Sequence, residues 1–191
     1  MLDAALNHLA GEVSAFLSRQ TEGGVGTEVH VAPVAGDDGQ WALPVNSLGL
    51  TLFQIDEERP LRGAPTPERV VLGGREIAVP PELRLNATVL VSARFANYQL
   101  ALRRLTQVLG YFHGHPLFIP AESPGLPTGI ERLSVDLLSH GPEQTHQLWA
   151  CLGARHLPSV VYRLRMVLML DAPARSPAAT TLLADPALGA R

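Results

Sequence analysis

His113 and His115, separated by one glycine, are the most metal-like pair in this 191-residue sequence. A zinc site needs three or four ligands at recognisable spacing, such as two histidines one helical turn apart. No carboxylate or third histidine stands at such a spacing, so no metal and no cofactor are expected. His113 instead falls in the last turn of a helical pattern, where an imidazole interacts well with the final carbonyls, and His115 belongs to the turn beyond. The second candidate is the acidic run Asp56, Glu57 and Glu58, followed by Arg59 and Arg62. Paired carboxylates do acid/base work when both reach one substrate atom. Successive side chains of an extended segment point to opposite faces, which favours a salt-bridging cluster at a surface or interface. Cys151 is the single cysteine, so an internal disulfide is excluded; its place inside a helical pattern predicts a buried structural thiol. Gly23-Gly24 and Gly73-Gly74 lack the Lys-Ser/Thr of a phosphate loop, and no nucleophile elbow is present. No catalytic residue is expected, and the chain reads as a non-enzyme.

The formal charge of −3 and the absence of a basic cluster argue against nucleic acid as a partner. All 15 basic residues are arginine, a coding bias or a preference for bidentate pairing across interfaces. With 46% hydrophobic and 17% charged residues the chain can bury a core. Its length suits one domain. Val160 to Leu170, the most apolar stretch, is interrupted by Arg163 and Arg165 and falls short of the about 20 residues a bilayer needs. The opening Met1-Leu2-Asp3 does not read as a secretory signal. A soluble protein without a membrane partner is expected.

The elements that must hold these residues follow from periodicity. Leu2, Leu6, Leu9, Val13, Phe16 and Leu17 predict a helix from Leu2 to Arg19. Glu28 to Val34 predicts a short strand, and Asp37-Asp38-Gly39 a turn. The apolar run from Asn46 to Asp56 suits a strand covered on both faces. It ends in the acidic cluster and a Pro60 to Pro67 loop. Leu83 to Phe95 alternates in the clearest strand pattern, with Arg84, Asn86 and Thr88 on the second face. A helix follows from Tyr98 to Phe112, with Asn97 as its N-cap, Gly114 as its stop, and Tyr98 and Leu102 on the buried face opposite Arg103, Arg104 and Gln107. Leu117 to Ile119 predicts an edge strand. Leu133, Val135 and Leu137 share the inward face of another strand, opposed by Arg132, Ser134 and Asp136. Pro142 and Glu143 begin a third helix, running to Leu152 with Gly153 behind it. The last strand, Ser159 to Leu170, carries Arg163 and Arg165 on one face, pointing to a polar cavity, solvent or a partner. The expectation is an α/β (α+β) fold: a mixed, mostly antiparallel sheet with about three helices in a domain over 1–171, and an Ala/Pro-rich tail over 172–191, mobile or ordered by a partner.

Three stretches add a resemblance: Leu48 to Arg62 (LGLTLFQIDEERPLR), Leu83 to Phe118, with GYFHGHPLF at its end, and Ile130 to Val167, containing WACLGARHLPSVVYRLR. In order and spacing they resemble the tail-terminator or cap proteins of extracellular-type contractile injection systems, phage-tail-like particles of the antifeeding-prophage and virulence-cassette types. The segment before Leu83 and the tail after Asp171 depart from that pattern. The resemblance implies a structural cap: a homo-hexameric ring at the distal end of the inner tube, contacting tube protein and sheath protein, ending polymerisation and anchoring the sheath. It implies assembly in the cytoplasm, in a particle that acts inside the cell or is released. Asp56, Glu57, Glu58, Arg59, Arg62, Arg163 and Arg165 are then expected at partner interfaces, and the Glu28 to Val34 edge is expected to accept or donate a strand. Two other readings remain open: a baseplate or adaptor subunit of the same particle, and a small-molecule-binding enzyme domain using the histidines.

Overall fold

Six strands in the order β1-β2-β5-β8-β7-β6 form the sheet on which the helices pack. The computed structural model describes residues 1–20, 27–58, 68–72, 75–79 and 82–169. In chain order the elements are α1 (Leu2–Arg19), β1 (Val29–Val31), β2 (Ser47–Glu57), β3 (Glu68–Leu72), β4 (Arg75–Val79), β5 (Leu83–Arg94), α2 (Tyr98–Gly114), β6 (Leu117–Phe118), β7 (Ile130–Leu138), α3 (Pro142–Cys151) and β8 (Ser159–Leu168). β1 runs parallel to β2, and every other pairing in the sheet is antiparallel. This is the single-domain α+β arrangement with three helices that the periodicity predicts. β3 and β4 form a separate two-stranded sheet that the sequence reading did not anticipate. Arg59, Arg62 and the 172–191 tail lie outside the described residues.

The main core lies between α1, α2 and one face of the sheet. Leu6, Leu9, Val13 and Leu17 meet Leu48, Leu50, Ala87, Val89 and Val91, with Leu133, Leu164 and Met166 further along. Burial of a Leu or Val side chain contributes about 1.5–3 kcal/mol, so this stripe-on-sheet contact dominates the stability of the fold. On the opposite face a smaller cluster joins Leu148 and Trp149 of α3 to Leu90, Val161 and Val34. The loop after β1 closes over the same face. The Leu43 side chain rests where a Cβ on Gly49 would stand, so a larger residue there would have to displace it. Arg94 holds the loop by donating from Nη1 to the Leu43 carbonyl, with its guanidinium 5.2 Å from the centre of the Trp41 ring.

Local signals account for the helix ends. The Asn97 side chain accepts from the backbone N–H groups of Gln99 and Leu100 at 2.9 and 3.3 Å. Pro142 opens α3, and the Gln144 side chain accepts from the Gly141 N–H at 3.0 Å. Gly153, at φ +62°, follows α3 where glycine is favoured.

Tertiary packing corrects several expectations. β2 is covered on both faces only from Ser47 to Thr51; beyond a register irregularity between Leu52 and Gln54 it outruns the helices, and Phe53 and Ile55 are exposed. Tyr98 and Leu102 are exposed, whereas Arg104 is 7% exposed, its Nη1 donating to Gln107 Oε1 at 3.0 Å. The buried stripe of α2 is turned towards α1, where Tyr111 packs against Phe16 with ring centres 5.0 Å apart. Leu137 is 55% exposed because the α2 cover ends before it. Cys151 is exposed: α3 buries Leu148 and Trp149, and at about 100° per residue Cys151 is turned off that face. The predicted strand over Glu28 to Val34 shrinks to Val29–Val31.

Candidate functional site

Strand alternation carries the arginines to a definite place. Leu90, Val161 and Leu138 lie in one row of cross-strand neighbours under α3. Stepping two residues at a time keeps to the same face. The next rows are Thr88, Arg163 and Asp136, then Asn86, Arg165 and Ser134, then Arg84, Val167 and Arg132. β2 extends these rows with Gln54 beside Thr88 and Asp56 beside Asn86. The Glu58 N–H donates to the Arg84 carbonyl at 2.9 Å, which continues the last row. Among the described residues no helix covers this half of the face.

The rows form a shallow trough of about 380 Å³ bordered by three carboxylates, Glu58, Glu82 and Glu131, and three guanidiniums, Arg84, Arg132 and Arg165. Arg165 Nε meets Asp136 Oδ2 at 3.2 Å, and Arg84 Nη2 meets Glu82 Oε2 at 3.0 Å, each pair about half exposed. Such pairs contribute roughly 0–1 kcal/mol to stability. Asp56 accepts from Gln54 Nε2 at 2.9 Å. The Arg163 side chain is partly exposed and has no hydrogen bond or ion pair among the described residues. The Asn86 Oδ1 is enclosed and also without a partner.

The fold therefore brings Asp56, Glu58, Arg163 and Arg165 to one face and sends Glu57, opposite Leu85, to the other. Arg84, Arg132 and Asp136 complete the surface. Their signal was legible as the polar half of two period-two patterns, but nothing in the sequence said that those halves adjoin. A mixed-sign face with little fixed pairing can exchange ion pairs with a partner.

A second polar contact lies between α1 and α2. The Tyr111 hydroxyl donates to Glu12 Oε2 at 3.2 Å, and His115 stacks on Tyr111 at 4.7 Å with its Nδ1 3.0 Å from the Tyr111 carbonyl. Burial, reinforced by the Glu12 charge, pushes the Tyr111 phenol up to about 12. That makes it a poor proton donor or acceptor near neutrality, and the contact reads as helix packing. His113 is exposed in the last turn of α2. Among the described residues no group of three His, Cys, Asp or Glu is placed to hold a metal ion, and no helix is long and apolar enough to cross a membrane.

With this geometry in hand, comparison with known proteins is informative. The family model described as the Pvc16 N-terminal domain matches residues 4–181. Among solved structures, the chain is similar to the PVC sheath/tube terminator of an extracellular contractile injection system in the extended state. The TM-score is 0.57 at 17% identity, over 97% of this chain and 64% of that one. It is also similar to the tube-terminating cap of the anti-feeding prophage, with a TM-score of 0.53 at 16% identity, over 94% of this chain and 60% of that one. The chain thus spans less than two thirds of the length of either structure, and at these identities the likeness establishes the fold. A search of curated proteins finds no match.

Proposed function

Because the chain belongs to the Pvc16 N-terminal domain family, we propose that it is a structural terminator of a contractile injection system, a cap that ends the tube and anchors the sheath. The observation that carries this reading is the family match over residues 4–181, joined by a fold shared along nearly the whole chain with two terminating proteins. The site supports it. A terminator must match the tube on one surface and offer nothing stackable on another, and its ring needs a heterologous interface that closes after a fixed rotation. A broad sheet face of exchangeable charges suits such a contact better than it suits catalysis. The partners are further copies of this chain in a hexameric ring, the tube protein and the sheath protein. Asp56, Glu57, Glu58, Arg163 and Arg165, with Arg59 and Arg62, are the proposed contact residues.

The test is made on assembled particles. Deleting the gene should give tubes of uncontrolled length, and a labelled copy should decorate one end of each particle, opposite the baseplate. Normal tube lengths without the protein, or label at the baseplate, would sink the reading. Cross-linked mass of the purified protein, with and without tube protein, should report six copies. A Glu58→Arg variant that still closes the ring removes Glu58 from the interface.

A further inference from the structure

A cavity of about 230 Å³ opens on the helix side of the sheet, between α1, α2 and the chain that follows β6. Two carboxylates line it, Glu12 and Glu122, against the single guanidinium of Arg19. Arg19 is tied to its own helix by Nε, which donates to the Ala15 carbonyl at 3.2 Å. Glu12 accepts from the Tyr111 hydroxyl through Oε2, which leaves Oε1 without a described donor. The exposed Glu122 side chain has no hydrogen bond or ion pair among the described residues. His115 also lines the cavity, with Nδ1 3.0 Å from the Tyr111 carbonyl. A carbonyl only accepts, so the proton of the neutral ring sits on Nδ1 and Nε2 is an acceptor. Phe16 adds an aromatic wall. Acceptors, a net negative lining and aromatic surface are the set that an arginine side chain satisfies, because its planar guanidinium pairs with carboxylates and stacks on rings.

The other face of the sheet carries a guanidinium without such a site. Tyr162 and Leu164 belong to the core under α1 and α2, so alternation turns Arg163 to the face away from those helices. Its row holds Thr88, Gln54 and Asp136. The first two are uncharged, and Asp136 is already met by Arg165 at 3.2 Å.

We propose that Arg163 of one copy of this chain enters the Glu12 and Glu122 cavity of the next copy, forming the head-to-tail contact of a ring. A heterologous interface joins two different surfaces of each protomer, and complementary surfaces on opposite faces of one sheet meet that need; an isologous pair would set each surface against itself. The occupant is a second copy because both halves of the charge match stand on this one chain. The inference rests on the terminator reading for the ring and deepens it by naming the two surfaces that meet.

Sedimentation of the purified full chain tests the contact. The wild type should associate as concentration rises, and less so at high salt, which screens the pair. Glu122→Arg and Arg163→Glu, both at accessible side chains, should each weaken association by about tenfold or more, and the variant carrying both changes should recover most of it. In a Cys151→Ser chain, a short bis-maleimide should join Arg163→Cys protein to Glu122→Cys protein in a mixture and join neither to itself. A wild type that stays monomeric, single variants that associate as the wild type does, or a double variant that associates no better than either single one would overturn the contact. Particles that still carry the protein at one end would in that case leave the terminator reading standing, whereas a restored contact in a protein found at the baseplate would sink that reading alone.

Discussion

Tyr111 and Tyr162 tie the core to alkaline pH. Burial pushes both phenols from 10.0 up to about 12, with Glu12 adding to the effect at Tyr111. Between those pH values the unfolded chain has released a proton that the folded chain retains. The stability contributed is therefore complete below about pH 10 and is lost as pH rises towards 12. Thermal melts should show this fall, and in a Tyr98→Phe background phenolate absorbance should rise together with unfolding. Tyr162→Phe removes a hydroxyl enclosed without a partner. It should be neutral or stabilising by up to about 1 kcal/mol and should reduce the alkaline loss, because a buried unpaired polar group costs stability. Individual residue identities were readable in the sequence for Asn97, Gly153 and Pro142, whose roles are local. They were not readable for Tyr111, which meets Glu12 on a helix almost a hundred residues away.

Helices and strands are held by signals of different reach. α2 begins where Asn97 caps two backbone N–H groups, so Asn97→Ala should cost about 1 kcal/mol and Asn97→Asp little, measured as the shift in denaturant midpoint. Capping is a contact within one turn, and for that reason the start of α2 was legible. The existence of α1, α2, β5, β7 and β8 followed from periodicity, since one buried face dictates one repeat, whereas α3 followed from its start and stop residues and β2 from a nearly continuous apolar run. Which residues of a stripe are buried did not follow. Tyr98 and Leu102 fit the apolar pattern of α2 as well as Tyr111 does, yet α1 packs on only one flank. The apolar second half of β2 likewise extends past its cover. The β3 and β4 pairing was missed although two short apolar-containing runs flank Gly73-Gly74, a dipeptide that signals a hairpin.

At the scale of the whole molecule, the assembly role proposed for the charged sheet face can be tested separately from its stability. Reversing Arg163 and Arg165 to glutamate should change the unfolding free energy by only about 1 kcal/mol, since both side chains are solvent-accessible and that of Arg163 makes no ion pair among the described residues. Under the proposed terminator role, the same double variant should weaken capping, read as longer tubes in micrographs, with the fold unchanged by circular dichroism. Periodicity together with local start and stop residues determined that this chain folds as an α+β sheet with three helices and that Arg163 and Arg165 share one strand face, because those properties depend on neighbours a few residues apart. Only the tertiary structure decided that Asp56, Glu58, Arg84, Arg132 and Arg165 form one surface and that Cys151 faces solvent. Strand order and the limits of helix cover join residues that are distant in the chain, and no local repeat encodes where one element stops covering another.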